Sequence, residues 1–110
     1  MTYYHTSLAE GRWQTFSFFE QMANIGSEVH RALMWQEKNK GHFDLAIDRA
    51  LELFDFTLED PRWRGPKLKE LARARELLCY AAFGENPYHT DLADLDKYFF
   101  TFAFAARLKR

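Results

Sequence analysis

Apolar residues recur along this chain at three- and four-residue steps, the spacing that gathers them on one face of a helix. Leu8, Phe19, Met22, Gly26, Val29 and Leu33 share one such stripe, with Phe16 and Ala23 on its shoulder. The stretch ANIGSEVH, residues 23–30, contains Asn, Gly and Ser, which often punctuate a chain, yet the stripe keeps its phase on both sides of it. A broken helix is free to restart facing elsewhere, so the pattern predicts a helix running through. Ser7 and Glu10 have capping-box spacing and place its start near Leu8; KNKG at 38–41 ends it, giving a long first helix over about 8–38. Gly26 then lies in the middle of the buried face, where it costs about 1 kcal/mol relative to Ala. The close approach of another backbone or a large ring is the expected compensation.

Three more helices follow from the same periodicity. Phe43, Ile47, Ala50, Leu51, Phe54 and Leu58 define one over 42–58. EDPRWRGP is a loop, after which Gly65 serves as N-cap and Pro66 as first residue of a helix over 66–83, with Leu68, Leu71, Ala74, Leu78 and Ala82 inward. GENPYHT makes the last turn, and Leu92, Leu95, Phe99, Phe102, Ala103 and Ala106 mark a helix over 91–108. No segment alternates as a strand does. The expected fold is all-α: a single domain, residues 1–110, forming an antiparallel up-down four-helix bundle.

Composition narrows the function classes. With 47% hydrophobic residues and no low-complexity tract, the 110-residue chain is expected to fold throughout. A formal charge of −1 supplies no global field for nucleic acid or an anionic membrane, so such binding needs a local patch. The start MTYYHTSLAEGRW lacks the layout of a signal peptide and YFFTFAFAA is too short to span a bilayer, so the expectation is a cytoplasmic protein without membrane contact. The single Cys79 agrees with a reducing compartment.

Polar groups on apolar faces are the first candidates for chemistry. Arg12 and His30 fall within the stripe of Phe19 and Leu33, and Arg75 lies between Leu71 and Leu78. Such groups need partners, because an unpaired buried charge costs several kcal/mol. Asp44, Asp48, Glu52, Asp55 and Glu59 form an acidic ribbon along one edge of the second helix, and Asp96 is a further acceptor; salt bridges from this set to the arginines are expected to fix helix register. His42 with Asp44, and His89 with Asp91, belong to loops at the same end of the bundle and are the candidate metal donors. Their simpler roles are a solvated turn for His42 and a helix cap for Asp91, so no bound metal is expected. At the opposite end, Arg62, Arg64, Lys67 and Lys69 surround a helix N-terminus, where exposed amides attract anions and Trp63 is placed to stack on a base. Glu52 to Asp55, ELFD, is one half of the paired carboxylate motif of all-helical nucleotide pyrophosphohydrolases; the other half is missing. Gly-rich phosphate loops, serine nucleophile motifs and paired cysteines are absent as well, so no cofactor and no catalytic residue is expected.

The segment GHFDLAIDRALELFDFTL resembles the second helix of HEPN domains, small helical bundles in which a turn with Gly and an aromatic precedes a regularly spaced Ala and apolar helix. That resemblance implies a bundle of this size and an association with RNA or nucleotides. Catalytic members carry Arg, four to six residues, then His. Here Arg73 and Arg75 are followed by LLCYAA, and the next His is His89 in another segment, so the resemblance implies binding through the basic loop 61–69 rather than cleavage.

A second apolar line completes the picture. Phe100, Phe104 and Leu108 point away from the stripe of Phe99 and Phe102, while Trp13, Trp35, Leu45, Phe56 and Tyr80 sit off their own core faces. A helix apolar on two sides is usually covered on two sides. The expectation is a non-enzymatic interaction module that pairs with itself as a homodimer or with another protein, with Trp35, Phe56, Phe100 and Phe104 at the interface.

Overall fold

A computed structural model describes residues 3–84 and 91–108, apart from the side chain of Ser7. Its elements are a single turn α1 (Thr6–Ala9), a 3-10 helix (Arg12–Thr15) and four longer helices: α2 (Phe18–Trp35), α3 (Lys40–Leu58), α4 (Pro66–Phe83) and α5 (Leu92–Leu108). The last four form the bundle. α2 packs most extensively, against α3 on one side and α5 on the other, and α4 closes the ring with sparser contacts to α3 and α5. No described residue is in a strand.

ANIGSEVH does lie inside one helix. Gly26 is buried, and a Cβ built there would stand 2.6 Å from the Phe99 Cβ, so α5 approaches as closely as it does because position 26 has no side chain. The backbone approach and the large ring are supplied by one residue. α4 has the expected bounds, and the Gly65 backbone (φ 61°) turns left-handed to lead into Pro66. Asn39 caps α3 by accepting from the His42 amide (2.9 Å), and Asp91 caps α5 by accepting from the Asp94 amide (2.8 Å).

Residues 8–17 correct the expected first helix. Gly11 takes a left-handed conformation (φ 105°) that ends α1, and Phe16 is extended. The capping box belongs to Ser17 and Glu20: the Ser17 hydroxyl accepts from the Glu20 amide (3.1 Å), and the Glu20 carboxylate accepts from the Ser17 amide (2.9 Å). The sequence holds this Ser-x-x-Glu spacing twice. Ser7 sits within α1, whose N-cap is His5. Because the turns at 10–17 are not α-helical, residues there rotate out of the projected stripe. Trp13 enters the core and donates its indole N–H to the Thr57 hydroxyl (2.9 Å). Arg12 swings to the surface over the Phe16 ring (5.8 Å to the ring centre), so it is no core arginine.

Candidate functional site

The basic loop folds onto itself. Asp60 is fully buried, and its carboxylate accepts from the Arg62 amide (3.0 Å), from the Arg62 guanidinium in a bidentate pair (3.0 and 2.7 Å) and from the Gln21 side chain (3.0 Å). Hydrogen bonds from Arg62 outweigh burial and hold the Asp60 carboxyl at about 2. Gln21, also fully buried, donates to the Trp13 carbonyl (2.9 Å) and accepts from the Trp63 indole (2.8 Å). Arg62 also reaches the Phe16 carbonyl (2.7 Å) and lies over the Trp63 ring at 4.4 Å, while Lys67 stands over Trp63 and Phe18 at 5.3 and 5.6 Å. Trp63, the ring expected to stack on a base, is buried against Phe18. Arg64 donates to the Trp63 carbonyl (2.9 Å), and Lys69 is exposed. Loop 61–69 therefore ties the 3-10 segment, α2 and α4 together, and its aromatic and its principal guanidinium are used internally.

The acidic ribbon is mostly a solvated edge. Asp55 pairs with Arg75 (3.2 Å), as the ribbon argument requires, but Asp55 is exposed and Arg75 is half-buried, so Arg75 stands at the edge of the core rather than inside it. His30 is likewise exposed, and its Nδ1 lies 3.1 Å from Asp96, linking α2 to α5. Lys40 takes Asp44 (2.9 Å), and Asp48 accepts from the Tyr4 hydroxyl at 3.5 Å. Glu52 is the ribbon residue with the fullest set of partners. It accepts from the amides of Tyr4 (3.0 Å) and His5 (2.8 Å) and faces the His5 Nδ1 at 2.9 Å. Burial acts to raise the Glu52 carboxyl, but these hydrogen bonds prevail and the net shift is downward. Across His5 lies Glu28, 3.9 Å from Nε2 and held by Arg31 (3.1 Å), a buried carboxylate that the α2 stripe does not single out. These groups strap the N-terminal segment onto α2 and α3.

The metal donors do not assemble into an observable set. His42 is exposed and stacks on Trp35 (4.6 Å between ring centres), Asp44 is paired, Asp91 caps α5, and His89 lies outside the described residues. Among the described residues no three His, Cys, Asp or Glu side chains converge in a way that could hold a metal ion. None of the described helices is long and apolar enough to cross a membrane.

The aromatic residues divide into two groups. Phe56 is covered within the chain by Tyr3 (5.6 Å) and Trp13 (6.4 Å), which removes it from the candidate interface, and Trp35 is half-buried. Phe100, Phe104 and Leu108 remain 63%, 55% and 70% exposed and form a ridge at four-residue steps along α5; Met34 of α2 is 50% exposed. Beside the ridge, between α2 and α5, runs an open groove of about 780 Å³. Ala23, Gly26 and Ser27 from α2 and Ala103 from α5 are its small residues, Phe100 and Met34 stand along it, and the His30 and Asp96 pair lines it as well. The groove exists because small residues on α2 meet a close α5, leaving a furrow where larger side chains would have filled the surface. Such a face can bind a complementary apolar surface. No protein-family model, curated protein or solved structure matches this chain, so its own geometry carries the functional reading.

Proposed function

We propose that this protein is a non-enzymatic helical-bundle interaction module that works as a homodimer through the α2–α5 face. The observation that carries the reading is the ridge of Phe100, Phe104 and Leu108, with Met34 nearby, left in solvent along one helix while Trp13, Trp63, Phe18, Phe54, Phe56, Phe99 and Phe102 are buried; Phe83, at the end of α4, is the other phenylalanine that stands exposed. Taking about 200 Å² for each large side chain, these four expose on the order of 400 to 500 Å² of apolar surface. A standard interface buries about 800 Å² per partner, somewhat more than half of it apolar, which calls for a patch of this size. Two-fold pairing covers such a patch with the fewest new surfaces.

Sedimentation equilibrium on the wild type and Phe104→Glu is the test. The wild type is expected to be dimeric at micromolar concentration, and the variant monomeric with an unchanged helical circular-dichroism signal. A monomeric wild type refutes the reading. A parallel titration with RNA and nucleotides at two salt concentrations covers the competing use of loop 61–69: salt-sensitive binding that disappears in Arg64→Ala, Lys69→Ala would favour that loop as the working surface.

A further inference from the structure

Resting on the homodimer reading, we infer that the partner's Phe100 is the occupant of the α2–α5 groove, so that each copy inserts its ring into the furrow of the other about a two-fold axis, with the two α5 helices antiparallel. The groove and its filler lie side by side on one surface. Phe100 stands at the groove's edge, and Ser27, Ala23 and Ala103 leave the space beside it unfilled. A two-fold rotation brings the ring of one copy over the small residues of the other and returns the same contact in reverse, which is the self-complementarity an isologous interface needs. A groove without a neighbouring knob, or a knob without a neighbouring groove, would fit a different protein; this face has both.

Charge along α5 selects the antiparallel sense. The helix opens with Asp91, Asp94 and Asp96, relieved in its first two turns only by Lys97, and its last described turn carries Arg107. Asp94 and Arg107 are both exposed. Antiparallel pairing sets the acidic end of each α5 toward the basic end of the other, whereas parallel pairing would set like charges together at both ends. The ridge residues lie between these ends along the axis; Asp94 itself lines the α4–α5 side and Asp96 lies 3.1 Å from His30, so the charge match is one of helix ends rather than of the ridge face.

Reciprocal insertion makes a demand that a merely sticky face does not. Phe100→Ala removes the knob and leaves the groove open; Ser27→Phe fills the groove and keeps the knob. Both positions are exposed, so neither change disturbs the core. Each variant alone is expected to dimerise at least tenfold more weakly than the wild type, because both of its contacts are spoiled. Mixed together, they form a heterodimer with one complete knob and groove and with the filled groove facing the missing ring. Native mass spectrometry of the mixture should show heterodimer at several times the statistical proportion, with circular dichroism confirming that both variants are folded. A wild type that dimerises while the two variants mix statistically would overturn the groove insertion and leave the homodimer standing. A wild type that stays monomeric would overturn both.

Discussion

Around the first turn of α2, Trp13, Trp63, Gln21, Asp60 and Arg62 form a junction in which each of these side chains has a hydrogen-bonding partner inside the chain. Along the α2–α5 face, Phe100, Phe104, Leu108 and Met34 stand in solvent beside an open groove. By composition the two regions are alike, each rich in aromatics with cations nearby, and by composition the basic loop is the better binding site. Geometry reverses the ranking. A cation lying over a buried indole and chelated by a buried carboxylate has spent its interactions on the fold, whereas an exposed apolar ridge has not. An aromatic beside an arginine marks a binding surface only when the fold leaves both unsatisfied.

The comparison can be broken most forcefully at Asp60. Asp60→Ala leaves one of the two buried Gln21 amide hydrogens without its acceptor and releases Arg62, and is expected to cost about 3 kcal/mol, read as a lower urea midpoint. If the midpoint does not move, the junction is not the closed, interdependent unit described. Acid probes the same carboxylate. Its folded value of about 2 lies below the ordinary 3.8, so its contribution is fully present above the ordinary value and is lost as pH falls from about 4 toward 2. The loss attributable to Asp60 should reach about 2 kcal/mol by equilibrium unfolding across that window, with Glu52 acting in the same direction, and Asp60→Asn should flatten the profile.

On the other region, Gly26→Ala places a Cβ against Phe99 and forces α5 away from α2. Overpacking costs about 1 to 3 kcal/mol and the helix propensity of Ala returns about 1, so a net loss of about 1 kcal/mol is expected. A stabilised Gly26→Ala would show that the seam has slack. Arg75→Ala, outside both regions, calibrates the scale. Its ion pair with Asp55 is partly exposed and open to screening, and thermal unfolding should register about 0.5 kcal/mol or less.

Much of the bundle was legible in the hydrophobic pattern. The bounds of α4, the unbroken passage through ANIGSEVH and the close approach at Gly26 follow from periodicity, because a helix whose partners are other helices must keep one phase along its length. The pattern misled at residues 8–17, where Leu8 and Phe16 happen to fall in phase with the later stripe although Gly11 and a 3-10 turn separate them from α2. Ser17 and Glu20 carried the local signal for the true start.

Outside residues 8–17, local spacing dictates which segments are helical and which face of each carries the apolar residues, since both are properties of neighbours three and four positions apart. Which polar and aromatic residues are left over depends on how the helices pack. Asp60 meets Gln21 across 39 positions, His5 meets Glu52 across 47 and His30 meets Asp96 across 66. Satisfaction of a charge or a ring depends on what the other helices bring to it, and that information is not local. Trp63, flanked by two arginines, is sealed by Phe18 and Gln21, whereas Phe100, next to Phe99 in sequence, is left in water.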